Sequence, residues 1–129
     1  MGVTVVDASA VAAVLFDEPE SEPILATIEG ALLAPSLLPY ELASVCTTKL
    51  TRRPADAKAI LSRYRLFAEL DIELTEPDWN DLPRLASDWA LSAYDAAYLQ
   101  LAAMHRATLV TLDARLAAAY DKLCRSRAP

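Results

Sequence analysis

Apolar and polar positions along the chain fall into short blocks that read as buried strands alternating with helices. Val3-Thr4-Val5-Val6 is short, β-branched and mostly apolar, which predicts a buried strand ending at Asp7. Ala8 to Phe16 follows as a helix. Leu32-Leu33 predicts a second short strand, after which Ser36 stands where a cap opens a helix running to about Leu50. Between Ala55 and Ala68, the residues Ala57, Ile60, Leu61, Tyr64 and Phe67 take one side and Lys58, Ser62 and Arg65 the other, the pattern of an amphipathic helix. Ile72 to Leu74 predicts a third strand. Leu82 to Leu91 predicts a helix with Pro83 in its first turn, where a missing N–H costs little. Asp95 to His105 is helical and apolar nearly all round, so it should lie enclosed by other elements. Thr108 to Leu112 predicts a fourth strand ending at Asp113, with a last helix from Ala114 to about Leu123. Short apolar strands separated by helices imply an α/β fold with a parallel sheet covered on both faces.

Composition sharpens this picture at two points. The 25 alanines, 21 leucines and only 2 glycines favour helices over tight β-turns. The 129 residues match one domain of roughly 100–150 residues, and Pro19, Pro23, Pro35, Pro54 and Pro77 are spaced as breaks between its elements. A single domain over residues 1–129 is therefore expected. Cys46 and Cys124 have no zinc-like spacing and read as reduced thiols, the longest apolar stretch is too short for a bilayer span, and no secretory signal is evident. These features predict a soluble, cytoplasmic protein with no membrane partner.

The net charge of −6 opposes nucleic acid as a partner, but its distribution does not. Lys49, Arg52, Arg53, Lys58, Arg63 and Arg65 lie in one stretch with a single acid, Asp56. Such a face can bind phosphate, or can be an ordinary solvated helix surface.

Candidate chemistry resides in four acids. Asp7 ends the first strand and Asp113 follows the fourth, so in a parallel sheet both sit on the rim where ligand sites form. Asp95 opens the enclosed helix and Glu41 lies in the first turns of another. Each has a local explanation: Asp7 and Asp113 as helix caps, Asp95 in a capping box reaching back to Ser92, Glu41 at the positive end of its helix. Together, four acids near one rim repel strongly unless a cation compensates. Oxygen ligands without histidine or cysteine favour magnesium, with manganese as a substitute, over zinc. Ser9 and Thr111 place hydroxyls near the same rim, although local backbone bonding and strand propensity account for them equally. His105 follows an apolar helix and makes a poor general base.

The stretches Val5-Val6-Asp7-Ala8-Ser9-Ala10, Pro39-Tyr40-Glu41-Leu42-Ala43, Leu91 to Leu99 (LSAYDAAYL) and Leu109-Val110-Thr111-Leu112-Asp113 make the chain resemble the PIN-domain family, specifically its VapC toxins from bacterial toxin–antitoxin pairs. The resemblance covers almost the whole chain. It implies a three-layer α/β/α PIN-like fold with a central short parallel sheet of four to five strands. It also implies a magnesium site built from Asp7, Glu41, Asp95 and Asp113, with Asp7 and Asp95 the principal ligands and Ser9 and Thr111 as accessory hydroxyls. The implied activity is metal-dependent endoribonuclease cleavage of structured RNA (transfer or ribosomal), with a VapB-type antitoxin as partner and a homodimer as assembly. An inactive relative that binds antitoxin or RNA is the alternative. A phosphotransfer enzyme of the haloacid-dehalogenase type would want a second aspartate where Ser9 stands. Asp121 to Pro129 departs from the family pattern: it is polar and basic where another strand often lies, and reads as a frayed tail or a contact for RNA or antitoxin.

Overall fold

The computed structural model describes residues 2–127. In chain order the elements are β1 (Val3–Val6), α1 (Ala8–Leu15), α2 (Ser21–Thr27), β2 (Ala31–Pro35), α3 (Leu38–Arg52), α4 (Ala57–Arg65), β3 (Ile72–Thr75), α5 (Leu82–Asp88), α6 (Ala93–His105), β4 (Thr108–Val110) and α7 (Ala114–Ser126). Four strands pair in the order β3-β2-β1-β4, all parallel, with Val5 opposite both Leu33 and Leu109. Helices flank this sheet in a three-layer α/β/α arrangement. Among the described residues no helix is long and apolar enough to cross a membrane.

The order of the strands decides where a site can form. The chain steps outward from β1 through β2 to β3, then crosses back to place β4 on the other side of β1. In such a sheet the place for a ligand is where the direction of winding reverses, at the carboxyl ends of β1 and β4. Helix α6 lies against the sheet with Ala96, Tyr98, Leu99 and Ala102 in the same core as Val5, Leu33 and Leu109. Its enclosure follows from its lack of a polar face.

Several boundaries differ from the sequence expectation. Helix α2 was hidden by Pro23, which sits in its first turn, where the N–H groups have no intrahelical partner to lose. Ser36 does not cap α3: its N–H donates to Thr75 O at 3.0 Å, closing β2 against β3, and Leu37 occupies the cap position without a side-chain bond. The long amphipathic segment is α4 between two 3-10 turns, Pro54–Asp56 and Leu66–Glu69. Helix α5 stops at Asp88 because Ala90 turns left-handed (φ 53°) and Leu91 N–H bonds back to Ala86 O at 2.9 Å, which sends Leu91 into the core. The segment after Asp121 continues α7 to Ser126, and residues 128 and 129 of the expected tail lie outside the described ones.

Gly30 begins the turn into β2 with φ 66°, and a Cβ there would meet Gly2 O at 1.8 Å. Gly30→Ala should therefore destabilise the protein by about 3 kcal/mol or more, combining left-handed strain with a backbone clash. Thermal melting checks this; a change below about 1 kcal/mol would contradict the packing described.

Candidate active site

Asp7 follows directly on the carboxyl end of β1 and is 5% exposed. Its Oδ1 caps α1 by accepting the Ala10 N–H at 3.0 Å and also accepts the Ser9 hydroxyl at 2.7 Å. Its Oδ2 accepts the Thr111 hydroxyl in a short hydrogen bond. Those hydroxyls are themselves acceptors: Ser9 Oγ takes the Leu112 N–H and Thr111 Oγ1 the Asp113 N–H, each at 2.9 Å. The turn after β4 is thus latched to Asp7 through two hydroxyl bridges. Thr111 was expected inside a strand reaching Leu112. The strand ends instead at Val110, whose carbonyl accepts the Asp7 N–H at 3.3 Å, and Thr111 turns inward to meet the carboxylate.

Asp113 is exposed and caps α7, its Oδ1 accepting the Leu116 N–H at 2.9 Å. Asp95, in the first turn of α6, donates its N–H to Ser92 Oγ at 3.0 Å, one half of the anticipated capping box. Glu41, in the first turn of α3, accepts the Tyr98 hydroxyl at 2.6 Å. Tyr98 is 1% exposed, and by sequence alone it is one more member of an apolar helix. The available signal was its spacing: three residues after Asp95, it shares that face of α6.

The acids sense one another. Burial holds the Asp7 carboxyl above its ordinary range, the Thr111, Ala10 and Ser9 hydrogen bonds pull it down, and Asp113 adds repulsion. Glu41 is raised by burial and by Asp95 and Asp7, against the stabilising Tyr98 hydroxyl. Asp95 is raised by burial and then by Asp113 and Asp7, with Ser92 and Arg115 opposing. Burial and the neighbouring acids push the Tyr98 phenol far up, so it stays protonated and donates. Asp7 and Asp95 therefore occupy the middle of the group, and Glu41 and Asp113 its two ends. Among the described residues the one ion pair joins Lys49 to Glu18, and none of the four acids has a basic partner at that range.

The residues suit a hard divalent cation. Every candidate donor is an oxygen, and His105, Cys46 and Cys124 are elsewhere. A carboxylate offers about four lone-pair directions. Asp7 uses three of them for hydrogen bonds, leaving an oxygen lone pair for a cation. Among the described residues no three Asp, Glu, His or Cys side chains are already drawn together as a ligand set. The acids repel one another without being drawn into a cluster.

Of the basic stretch, Lys49 pairs with Glu18 at 3.3 Å and lies over the Phe16 ring at 4.8 Å. Arg52, Arg53, Lys58, Arg63 and Arg65 are exposed on α3, α4 and the link between them.

Comparison with known proteins agrees with this architecture. A crystal structure of PAE2754 from Pyrobaculum aerophilum superposes with a TM-score of 0.73 at 25% identity, covering 98% of this chain and 97% of that one. The crystal structure of Mycobacterium tuberculosis VapC20 (Rv2549c), a sarcin-ricin loop cleaving toxin, superposes with a TM-score of 0.62 at 16% identity, covering 90% and 94%. Among curated proteins none matches the chain. The PIN domain profile matches residues 4–122, nearly the whole length. The chain belongs to the PIN domain family, whose members are generally nucleases.

Proposed function

We propose that the protein is a magnesium-dependent endoribonuclease, the toxin of a toxin–antitoxin pair, acting on structured RNA. The observation that carries this reading is the group of mutually repelling, partly buried acids that form no ion pair among the described residues, centred on an aspartate whose two oxygens are fixed by hydroxyls. Asp7 and Asp95 hold the metal, with Glu41 and Asp113 at either end of the group. Ser9 and Thr111 orient Asp7 and keep the Asp113 turn in register with it. Tyr98 fixes Glu41 by bonding one carboxylate oxygen, which leaves the other for the metal. A bound magnesium ion supplies a water of lowered pKa and positive charge for the phosphorane-like transition state. Manganese is the natural substitute. The exposed arginines of α3 and α4 contact RNA phosphates, and a VapB-type antitoxin and a second copy of the chain complete the assembly.

Hydrolysis by water needs no ribose 2′-hydroxyl, so products should carry 5′-phosphate and 3′-hydroxyl ends. Cleavage should stop when EDTA is added and return with excess magnesium. Sequencing RNA ends after incubation reads the first; a 2′,3′-cyclic phosphate formed in EDTA would overturn the proposal.

Tyr98→Phe removes a hydrogen bond to a ligand rather than a ligand. It should weaken manganese binding about tenfold to a hundredfold, the usual effect of losing an outer-sphere partner. Calorimetry on the folded variant checks this, and unchanged affinity would deny Tyr98 its positioning role.

A further inference from the structure

Two basic side chains of α7 flank a trough that runs along the end of α5. Arg115 and Lys122 are exposed, and their separation of about two helical turns sets them on one side of α7 about 10 Å apart. Ala118 and Ala119 lie between them, and their small side chains leave space. The opposite wall is the end of α5, with Trp89 half-buried and Ala90 in its left-handed turn. The trough has a volume of about 540 Å³. Asp88 also lines it, so two cations stand against one acid, a positive balance in a chain of net charge −6.

The trough begins where the acidic group ends. Asp113 caps α7, and Arg115 is in the first turn of that helix. The Arg115 charge opposes the burial and the acidic neighbours that raise the Asp95 carboxyl. No other cation bears on Asp7, Glu41 or Asp95 among the described residues. Arg115 nevertheless forms no ion pair among those residues, so its planar fork of donors is open to a ligand.

A nucleic acid strand entering a group of acids is repelled at every phosphate that the metal does not neutralise. An arginine one turn from Asp113 offsets this for a neighbouring phosphate, because a guanidinium bonds two phosphate oxygens at once. Lys122 supplies a point charge further along the same trough. Continuity with the acids favours a phosphate backbone over an acidic protein segment as the occupant. We infer that the trough between α5 and α7 carries the RNA backbone away from the metal site, with Arg115 gripping a phosphate beside the scissile one and Lys122 holding the strand further on. This rests on the nuclease reading for the nature of the ligand, and it adds a second phosphate path to the arginines of α3 and α4.

The test is single-turnover cleavage of one labelled RNA in magnesium, over a range of RNA and potassium chloride concentrations. Arg115→Ala should raise the half-saturating RNA concentration about tenfold and leave the rate at saturation within about threefold, the pattern of lost uniform binding. Its salt dependence should fall by about one charge. Arg115→Lys should recover part of the loss, and Lys122→Ala should raise half-saturation about threefold. Manganese titration gives a readout of opposite sign: without a cation beside Asp95, metal affinity should stay equal or rise while RNA binding falls.

Unchanged half-saturation and salt slope in Arg115→Ala overturn the inference. Weaker manganese binding in that variant also overturns it, and makes Arg115 a brace for the acids. Polyglutamate that displaces the RNA better than polyuridylate at equal charge overturns it too, and assigns the trough to an acidic protein segment. Anisotropy of the labelled RNA in EDTA separates this inference from the nuclease reading. Wild type that never cleaves but binds RNA more tightly than Arg115→Ala removes the nuclease reading and leaves the phosphate trough standing, while normal wild-type cleavage with an indifferent variant does the reverse.

Discussion

Asp95→Asn is expected to lower RNA cleavage by about a thousandfold or more while the protein stays folded. The Asp95 N–H that bonds Ser92 Oγ belongs to the backbone and survives the change, so α6 keeps its cap. What is lost is one of the two central charges of the acidic group. Asp7→Asn should be as severe, and it separates two accounts of that residue. Asparagine caps a helix about as well as aspartate. If Asp7 served only to accept the Ala10 N–H, the substitution would be nearly silent. Single-turnover cleavage of one labelled RNA, with circular dichroism melts in EDTA as a folding control, measures both variants. A loss smaller than about tenfold in either would contradict the assigned roles.

The second large effect is on stability. The metal binds only the folded chain, so at a hundred times its dissociation constant it adds about 2.7 kcal/mol. For a domain of this length that raises the melting temperature by roughly 8–12 °C. The pH dependence has a definite sign. Asp7, Glu41 and Asp95 have folded-state pKa values raised above their ordinary ones, so the metal-free native state retains protons that the unfolded chain has released. Their contribution to stability is present below the ordinary carboxylate range and is lost as pH rises through the raised values. Magnesium should therefore stabilise more at pH 7 than at pH 4.5. In EDTA, Asp95→Asn should melt progressively higher relative to wild type as pH rises from 4 to 7. Differential scanning fluorimetry across that range checks both; a magnesium shift that shrinks with rising pH would contradict the electrostatic account.

Much of the site was legible because strand ends in a parallel sheet share a rim. Asp7 and Asp113 follow β1 and β4, which pair directly, and that pairing alone brings them together. The local explanations also hold: Asp7 and Asp113 cap α1 and α7. One carboxylate has enough lone pairs to cap a helix and bind a cation, so the caps do not exclude the proposed metal role.

What the sequence concealed has physical causes. Tyr98 is apolar over most of its surface, and only the tertiary fold brings its hydroxyl to Glu41, 57 residues away in the chain. Sequence alone places Thr111 inside the fourth strand, yet it reaches Asp7 because the strand has already ended. Helix α2 was masked by prolines that look like breaks but fall where helices tolerate them. Gln100 reads as one polar residue on an apolar helix, and its clamp on Asp78 is visible only when α6 meets the loop before α5.

The central claim is that these acids jointly bind a divalent ion, and calorimetric titration of manganese into the metal-free protein tests it most directly. The account predicts saturable binding to wild type at one or two sites, lost in Asp7→Asn and Asp95→Asn while both variants remain folded. No binding heat with wild type, or the same isotherm for all three proteins, would contradict it.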